Sequence, residues 1–461
     1  MSELLFPRQK RLETLFYLMI VFALLGPSFG VPVADFRLTF FRVAFVLLAA
    51  GFVLRLVGQK QLAASHMMPV RWYVTFFAFW FLYGVVSLAW VMNYGYAVRY
   101  LSYLVFMMPL SLAFPYFIDT EQKFWKTSRI LFWVFASIVF FGVFESITLL
   151  HLPTSAVFGK ASASVTTVFR NQNDFASCIT IALPFLISAL YMLNLKRKHK
   201  WFIYITGILA LYDLMATGSR SNTSFALPLA SLVLVVGLTF VMERKRITKK
   251  NLATALIAII AAVITVNVLS QLFLSPEARE QAKTKLSSTF GFIMDVQHSD
   301  WSLDDGSDDV VKGETGESAT VRKYLILNGL RFLQESHYMG VGAGNVEAWM
   351  DKYGVKVNKV NIHNWWAEIL VNFGVIVFVL YMALYVWMLW RLWKLASLKH
   401  SPSLSPVMRW GAYSCLASLT GFFFGAMAPS TCIGFTPMWV IYGLSLAVIV
   451  VGENQKAAKT Q

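Results

Sequence analysis

Three short polar segments interrupt an otherwise apolar chain, and each sits at the start of a long apolar run. Phe169-Arg170-Asn171-Gln172-Asn173-Asp174 leads into the run at 174–194, Gly218-Ser219-Arg220-Ser221-Asn222 into 222–242, and Ile362-His363-Asn364 into 364–390. The first N–H groups of a helix lack internal partners and carry a partial positive charge, so a helix start favours an anion. Arg170 and Arg220 add fixed forks of donors that match phosphate oxygens, which makes diphosphate the natural anion. Plainer roles compete at the same positions. Asn173, Asp174, Ser219 and Ser221 are ordinary N-cap residues, and Arg170 and Arg220 are long enough to reach lipid headgroups. Arg42 and Arg99, within or near apolar runs, are open to a functional or a structural role, and for an arbitrary outer histidine such as His363 the residue type alone favours a structural one.

Other suggestive patterns do not survive a check of spacing. The acidic stretch Asp300, Asp304, Asp305, Asp308 and Asp309 resembles a calcium loop, but placing Gly306 at the sixth position puts Trp301 first and Lys312 last, so the ligand set is broken. Gly340-Val341-Gly342-Ala343-Gly344 follows a helical stretch and not a strand, which favours a tight turn over a nucleotide site and leaves a backbone anion contact as the lesser reading. No Walker A motif is present, which excludes an ATP-driven pump. The cysteines, Cys178, Cys415 and Cys432, form no CxxC pair. No metal site is expected.

The elements that must position these residues follow from composition. Of 461 residues, 57% are hydrophobic and 14% charged, against roughly 25% charged in soluble domains. Apolar runs of about membrane-spanning length fall near 13–33, 38–57, 72–92, 97–118, 129–150, 174–194, 201–217, 222–242, 253–274, 364–390, 410–428 and 435–451. The first run reads as an ordinary span, with no cleavable signal peptide. The chain is therefore expected to be an all-α polytopic membrane protein of about 12 transmembrane helices with a large, partly helical extracytoplasmic loop. Alternation puts both termini on one side, and the short segments there hold 24 of the 40 basic residues, which marks that side as cytoplasmic. The net charge of +16 thus reports orientation, and no nucleic-acid partner is expected.

The expected organisation is residues 1–274 as transmembrane helices 1–9, 275–362 as the extracytoplasmic loop and 363–461 as transmembrane helices 10–12. The loop carries 13 acidic and 10 basic residues, and a connection this long is usually functional or structured. It divides into a helical stretch at 276–288, an acidic Gly/Ser-rich stretch at 298–318, a second helical stretch at 320–335 and a glycine turn at 340–345. On this layout Arg170, Arg220 and His363 all lie at the outer membrane boundary.

In their order and sidedness these motifs resemble the O-antigen ligase and polymerase superfamily of bacterial cell-envelope enzymes. The likeness rests on Arg170-Asn171-Gln172-Asn173-Asp174-Phe175, on Ser219-Arg220, on Arg322-Lys323-Tyr324 opening a loop helix that leads into Gly340 to Asn345, and on His363-Asn364 followed by Glu368 and Phe373-Gly374. The acidic insert at 298–318 departs from the pattern. Members transfer glycan from an undecaprenyl-diphosphate carrier to an acceptor hydroxyl at the outer leaflet, without nucleotide, metal or other cofactor. Polymerases join repeat units, and ligases attach finished chains to another molecule.

The resemblance implies that Arg220 and Arg322, with Arg170 nearby, hold the donor diphosphate and that His363 is the general base. It makes Asn171, Asn173, Asn364 and Glu368 candidates for binding or orienting sugar, although Glu368 reads equally as a buried, paired structural acid. The implied partners are an undecaprenyl-diphosphate-linked oligosaccharide and an acceptor glycan, with a flippase and a chain-length regulator as candidate further partners. Arg322 and Arg331 point about 180° apart on one helix. The family pattern selects Arg322 and leaves Arg331 as a surface or packing residue. A polymerase in the bacterial plasma membrane with an outward-facing site is the reading preferred, ahead of a ligase. A lipid-linked glycan flippase or other transporter is disfavoured because no repeat relates the halves and the candidate charges cluster at one boundary.

Overall fold

Apolar surface wide enough to be buried or bathed in lipid on every side leaves a chain few options besides helices, because the backbone must satisfy itself within each segment. The computed structural model describes residues 9–33, 36–59, 64–160, 162–243, 247–276, 279–280, 303 and 318–460. In chain order its helices are α1 (Gln9–Leu25), α2 (Phe40–Gln59), α3 (Arg71–Val86), α4 (Tyr94–Phe117), α5 (Glu121–Thr148), α6 (Gln172–Met192) and α7 (Arg197–Thr217). There follow α8 (Leu227–Val241), α9 (Lys249–Phe273), α10 (Ser318–Glu335), α11 (Val346–Tyr353), α12 (Trp365–Ala396), α13 (Pro406–Gly425) and α14 (Thr436–Thr460). Strands β1 (Gly30–Val33) and β2 (Phe36–Thr39) pair antiparallel, Gly30 opposite Thr39, and join α1 to α2.

Each of the twelve apolar runs falls on a helix. Ten of the described helices are long and apolar enough to cross a membrane; α7 and α13 fall short of that apolarity. The reason is visible in their residues. The first turn of α7 is Arg197-Lys198-His199-Lys200, and the helix later carries Asp213. Helix α13 is walled in by neighbours along most of its length, including Arg409, Ser414 and Ser418, so it presents little surface that must be apolar. Helix α14 is likewise central, with 89% of its spanning window buried, whereas α9 lies at the rim with 6%.

Helices α10 and α11 lie outside the bundle and share a small apolar core. Val321, Leu325 and Phe332 of α10 pack there with Val346 and Met350 of α11, and with Ile362 and Val371. The helical stretch expected at 320–335 is thus present. The stretches expected at 276–288 and 298–318 lie, but for a few residues, outside the described ones. Arg331 is a packing residue: its Nη2 donates to the Tyr353 carbonyl and to Asn328 Oδ1, and Nε lies 3.6 Å from Glu335.

The glycine turn after α10 docks on a break in α12. Gly374 adopts φ 76° and ψ −179° inside α12, which releases the carbonyls of the preceding turn. The Val341 and Gly342 N–H groups donate to the carbonyls of Val371 and Asn372 at 2.9 Å each, and Val375 N–H donates back to the Tyr338 carbonyl at 3.1 Å. Ala343 N–H donates to Ser87 Oγ, and Val346 N–H to Asn372 Oδ1. These donors are consumed within the fold, so the turn is a docking element and the anion reading of its backbone falls. Gly340, at φ 87°, has no room for a side chain, since a Cβ would lie 2.5 Å from Gly374 N.

Candidate active site

Arg220 is presented by an abrupt reversal between α7 and α8. Gly218 closes α7 in the left-handed conformation (φ 61°), which glycine adopts without a steric penalty. The chain turns helical again at Arg220 and passes through a widened π turn, Asn222–Ala226, before α8 proper. Such turns recur at functional sites. Asn222, fully buried, fixes the reversal: its Nδ2 donates to Ser177 Oγ and Ser219 Oγ at 3.1 Å each, while Oδ1 accepts from Thr180 Oγ1 at 2.8 Å. Helix α6 therefore holds the mouth of α8 in place.

Arg322 reaches this mouth from the first turns of α10, where its Nη1 donates to Ser221 Oγ at 3.2 Å. Burial, and secondarily the positive charge of Arg220, bring the Arg322 guanidinium down to about 10. Burial also lowers Arg220. Both remain cations at neutral pH. Among the described residues no carboxylate pairs with Arg322, and two cations held together at a partly buried site favour an anion between them.

His363 completes the group. Its φ of 52° is uncommon for a non-glycine residue and costs on the order of 1–3 kcal/mol, a type of strain that clusters at active sites and ligand clamps. The conformation is held from both sides, by Ile362 in the apolar core beneath α10 and by Asn364 at the start of α12. Nδ1 is buried and has no hydrogen-bond partner. Burial first, then the charges of Arg322 and Lys359, lower the imidazole to about 4. At neutral pH His363 is thus uncharged and able to accept a proton, within reach of the charge of Arg322, which in turn feels that of Arg220.

The remaining residues singled out from the sequence sort by their contacts. Asn364 Oδ1 accepts from the Trp366 and Ala367 N–H groups, and Asn171 Oδ1 from those of Asn173 and Asp174. Both are N-caps. Asn171 Nδ2 also donates to Asp174 Oδ2 at 3.1 Å, whereas the Asn173 side chain has no partner among the described residues. Arg170 is exposed, and among the described residues no contact joins it to Arg220, Arg322 and His363. Glu368, one turn into α12 and 4% exposed, accepts through Oε1 from Tyr100 Oη at 3.0 Å and Thr431 Oγ1 at 2.9 Å. It is buried and paired, and it lies close enough to Cys432 that, after burial itself, its charge and that of Asp174 keep the Cys432 thiol well above its usual range.

Asn222, Lys359, Tyr100 and Thr431 were not singled out from the sequence. Asn222 had a local signal, the Ser219-Arg220-Ser221-Asn222 cluster itself. Tyr100 and Thr431 had none, since each meets Glu368 only through the packing of distant helices.

Two comparisons with known proteins bear on this arrangement. Residues 205–382 match the family model described as O-antigen ligase, a span that takes in Arg220, Arg322, the glycine turn, His363 and Glu368. Over 459 residues the chain is 26% identical to the teichuronic acid biosynthesis protein TuaE of Bacillus subtilis (strain 168), covering 96% of this chain and 85% of that protein. Both matches support the resemblance to the O-antigen ligase and polymerase superfamily, one through the site region and the other across nearly the whole chain. The chain is a multi-pass membrane protein.

Proposed function

We propose that this protein is a membrane glycosyltransferase of cell-surface polysaccharide synthesis. It would transfer glycan from undecaprenyl diphosphate to an acceptor sugar hydroxyl at the outer leaflet of the bacterial plasma membrane, and so join repeat units as a polymerase. The observation that carries this reading is the meeting of Arg220, Arg322 and an uncharged His363 at one end of the bundle. The basic loops at the other end support an outward-facing site.

In this mechanism the diphosphate rests between Arg220 and Arg322, with Arg170 at the rim. His363 accepts the proton of the acceptor hydroxyl as its oxygen bonds to the anomeric carbon, a contribution of about 10²–10⁴ in rate. The bond from that carbon to the diphosphate breaks on the opposite face, inverting the centre, and the departing charge falls on the two guanidinium groups. The lipid diphosphate is already a good leaving group, so the step calls for no nucleotide, metal or other cofactor. In this reading Asn173 contacts sugar, Asn171 and Asn364 hold the starts of α6 and α12 as caps, and Glu368 orients Tyr100 and Thr431. A flippase that delivers the donor and a chain-length regulator are the partners such a polymerase calls for.

A ligase that joins finished glycan to a different acceptor is the second reading, favoured by the description of the matching family. Incubating the purified protein with undecaprenyl-diphosphate oligosaccharide, without nucleotide, separates the two. A ladder of longer lipid-linked chains supports the polymerase. Transfer only to an added second acceptor supports the ligase, and no product with either acceptor overturns both.

A further inference from the structure

At the opposite end of the bundle from His363, a cavity of about 680 Å³ opens among α3, α12 and α14. Its position follows from helix length: Arg391, on its wall, lies 17 residues beyond the Gly374 break, about 25 Å along α12. Arg391 is buried and already neutralised, its Nε and Nη2 donating to Glu453 at 2.8 and 2.6 Å and Nη1 to the Pro69 carbonyl at 2.7 Å. Among the described residues, Glu453 is the only carboxylate on the wall. Arg71 and Lys394 have neither a hydrogen bond nor an ion pair from their side chains among the described residues. Each lies against a tryptophan: the Arg71 Cζ is 5.4 Å from the Trp72 ring centroid and the Lys394 Nζ 3.7 Å from that of Trp390.

Trp72 and Trp390 are both about half exposed, as are Val386 and Val379 farther along α12. Exposed indoles beside cations are the pattern of a membrane–water boundary, and the valines continue the same surface toward the hydrocarbon core. The charge and the apolar track together favour an anionic lipid over a soluble anion or an acidic protein, neither of which would use the track.

We propose that this cavity binds the phosphodiester headgroup of an anionic glycerophospholipid from the leaflet on the basic side, held by Arg71 and Lys394, with its acyl chains lying over Val386 and Val379. The site is independent of the transfer chemistry.

The test is retention of phosphatidylglycerol by the full-length protein, exchanged from nanodiscs of mixed phosphatidylglycerol and phosphatidylcholine and read by native mass spectrometry. The wild type should keep one phosphatidylglycerol in preference to phosphatidylcholine. The double variant Arg71→Gln/Lys394→Gln should bind it at least about tenfold more weakly, since each removed cation near the membrane surface is worth several-fold in affinity. Either single variant should lose about half of that effect on a logarithmic scale, so the test survives if the double variant does not fold. Arg197→Gln/Lys198→Gln, in the basic first turn of α7, should leave retention unchanged. Equal retention by wild type and the Arg71 and Lys394 variants, equal loss in the Arg197/Lys198 variant, or equal thermal stabilisation by free glycerol phosphate would each overturn the proposal.

Discussion

Arg322 of the loop helix donates to the hydroxyl of Ser221 across 3.2 Å, joining two segments 101 residues apart in sequence at the point where Arg220 begins the run into α8. If the pair of arginines clamps a diphosphate, Arg322→Ala should lower turnover by at least about 10²-fold, the usual cost of removing a donor aimed at developing negative charge. Arg220→Lys should also be severe, because a point charge does not reproduce the bidentate fork. Ser221→Ala removes one hydrogen bond to the clamp and should cost less, about three- to tenfold. Arg331→Ala should keep activity within about twofold while lowering stability by about 1–2 kcal/mol, because it holds the end of α11 and not the site. Transfer assays at matched expression, paired with thermal melts, check all four. A dead Arg331 variant beside an active Arg322 variant would reverse the assignment.

The imidazole of His363 is held down at about 4, and the direction of the resulting pH dependence is fixed. A general base must be uncharged, so activity is retained above its pKa and lost as pH falls through it. The kcat/KM profile should stay flat from about pH 8 to pH 5, where an ordinary histidine near 6.5 would already have cost most of the rate, and fall near pH 4. The same depression makes neutral His363 a contributor to stability above the unfolded value, lost on acidification through the folded one. A kcat/KM profile that breaks at pH 6.5 would mean that His363 is solvated and ordinary.

Gly340 and Gly374 meet backbone to backbone, and both have positive φ. Alanine at either position places a Cβ against main-chain atoms that have no room to shift, so each should destabilise the docked loop by about 2 kcal/mol or more. Faster proteolysis within 318–360 than in the wild type is the readout. Unchanged protease resistance in Gly340→Ala would show that the turn does not depend on that contact.

Chelators should leave transfer unchanged, since two guanidinium groups can supply the charge that a divalent cation would otherwise bring to a diphosphate. Loss of activity in EDTA, restored by one divalent ion, would contradict this and return attention to the acidic stretch at 298–318.

The helices were legible in the sequence because a bilayer imposes a minimum apolar length, and each run meets a helix. What single-run apolarity does not reveal is that α13 is buried by protein and not by lipid. Arg220 and His363 could be read from their places beside helix starts, whereas Arg322 needed the family pattern to choose it over Arg331. Asn171 and Asn364 show the limit of local chemistry, since the same amide serves equally as a cap or as a sugar ligand until its neighbours are known. The pairing of Glu368 with Tyr100, 268 residues away, and the docking of the glycine turn on the Gly374 break depend on tertiary contacts that leave no local trace.

The central claim is that His363 moves the acceptor's proton while the arginines hold the diphosphate. Its most direct test measures undecaprenyl diphosphate released per glycan bond formed, alongside donor affinity, for the wild type and His363→Ala at saturating donor. The expected result is one diphosphate released per bond in the wild type, and in His363→Ala an unchanged donor Kd with turnover lowered by at least about 10²-fold. Wild-type turnover in His363→Ala, or a lost donor affinity that accounts for the whole defect, would contradict it.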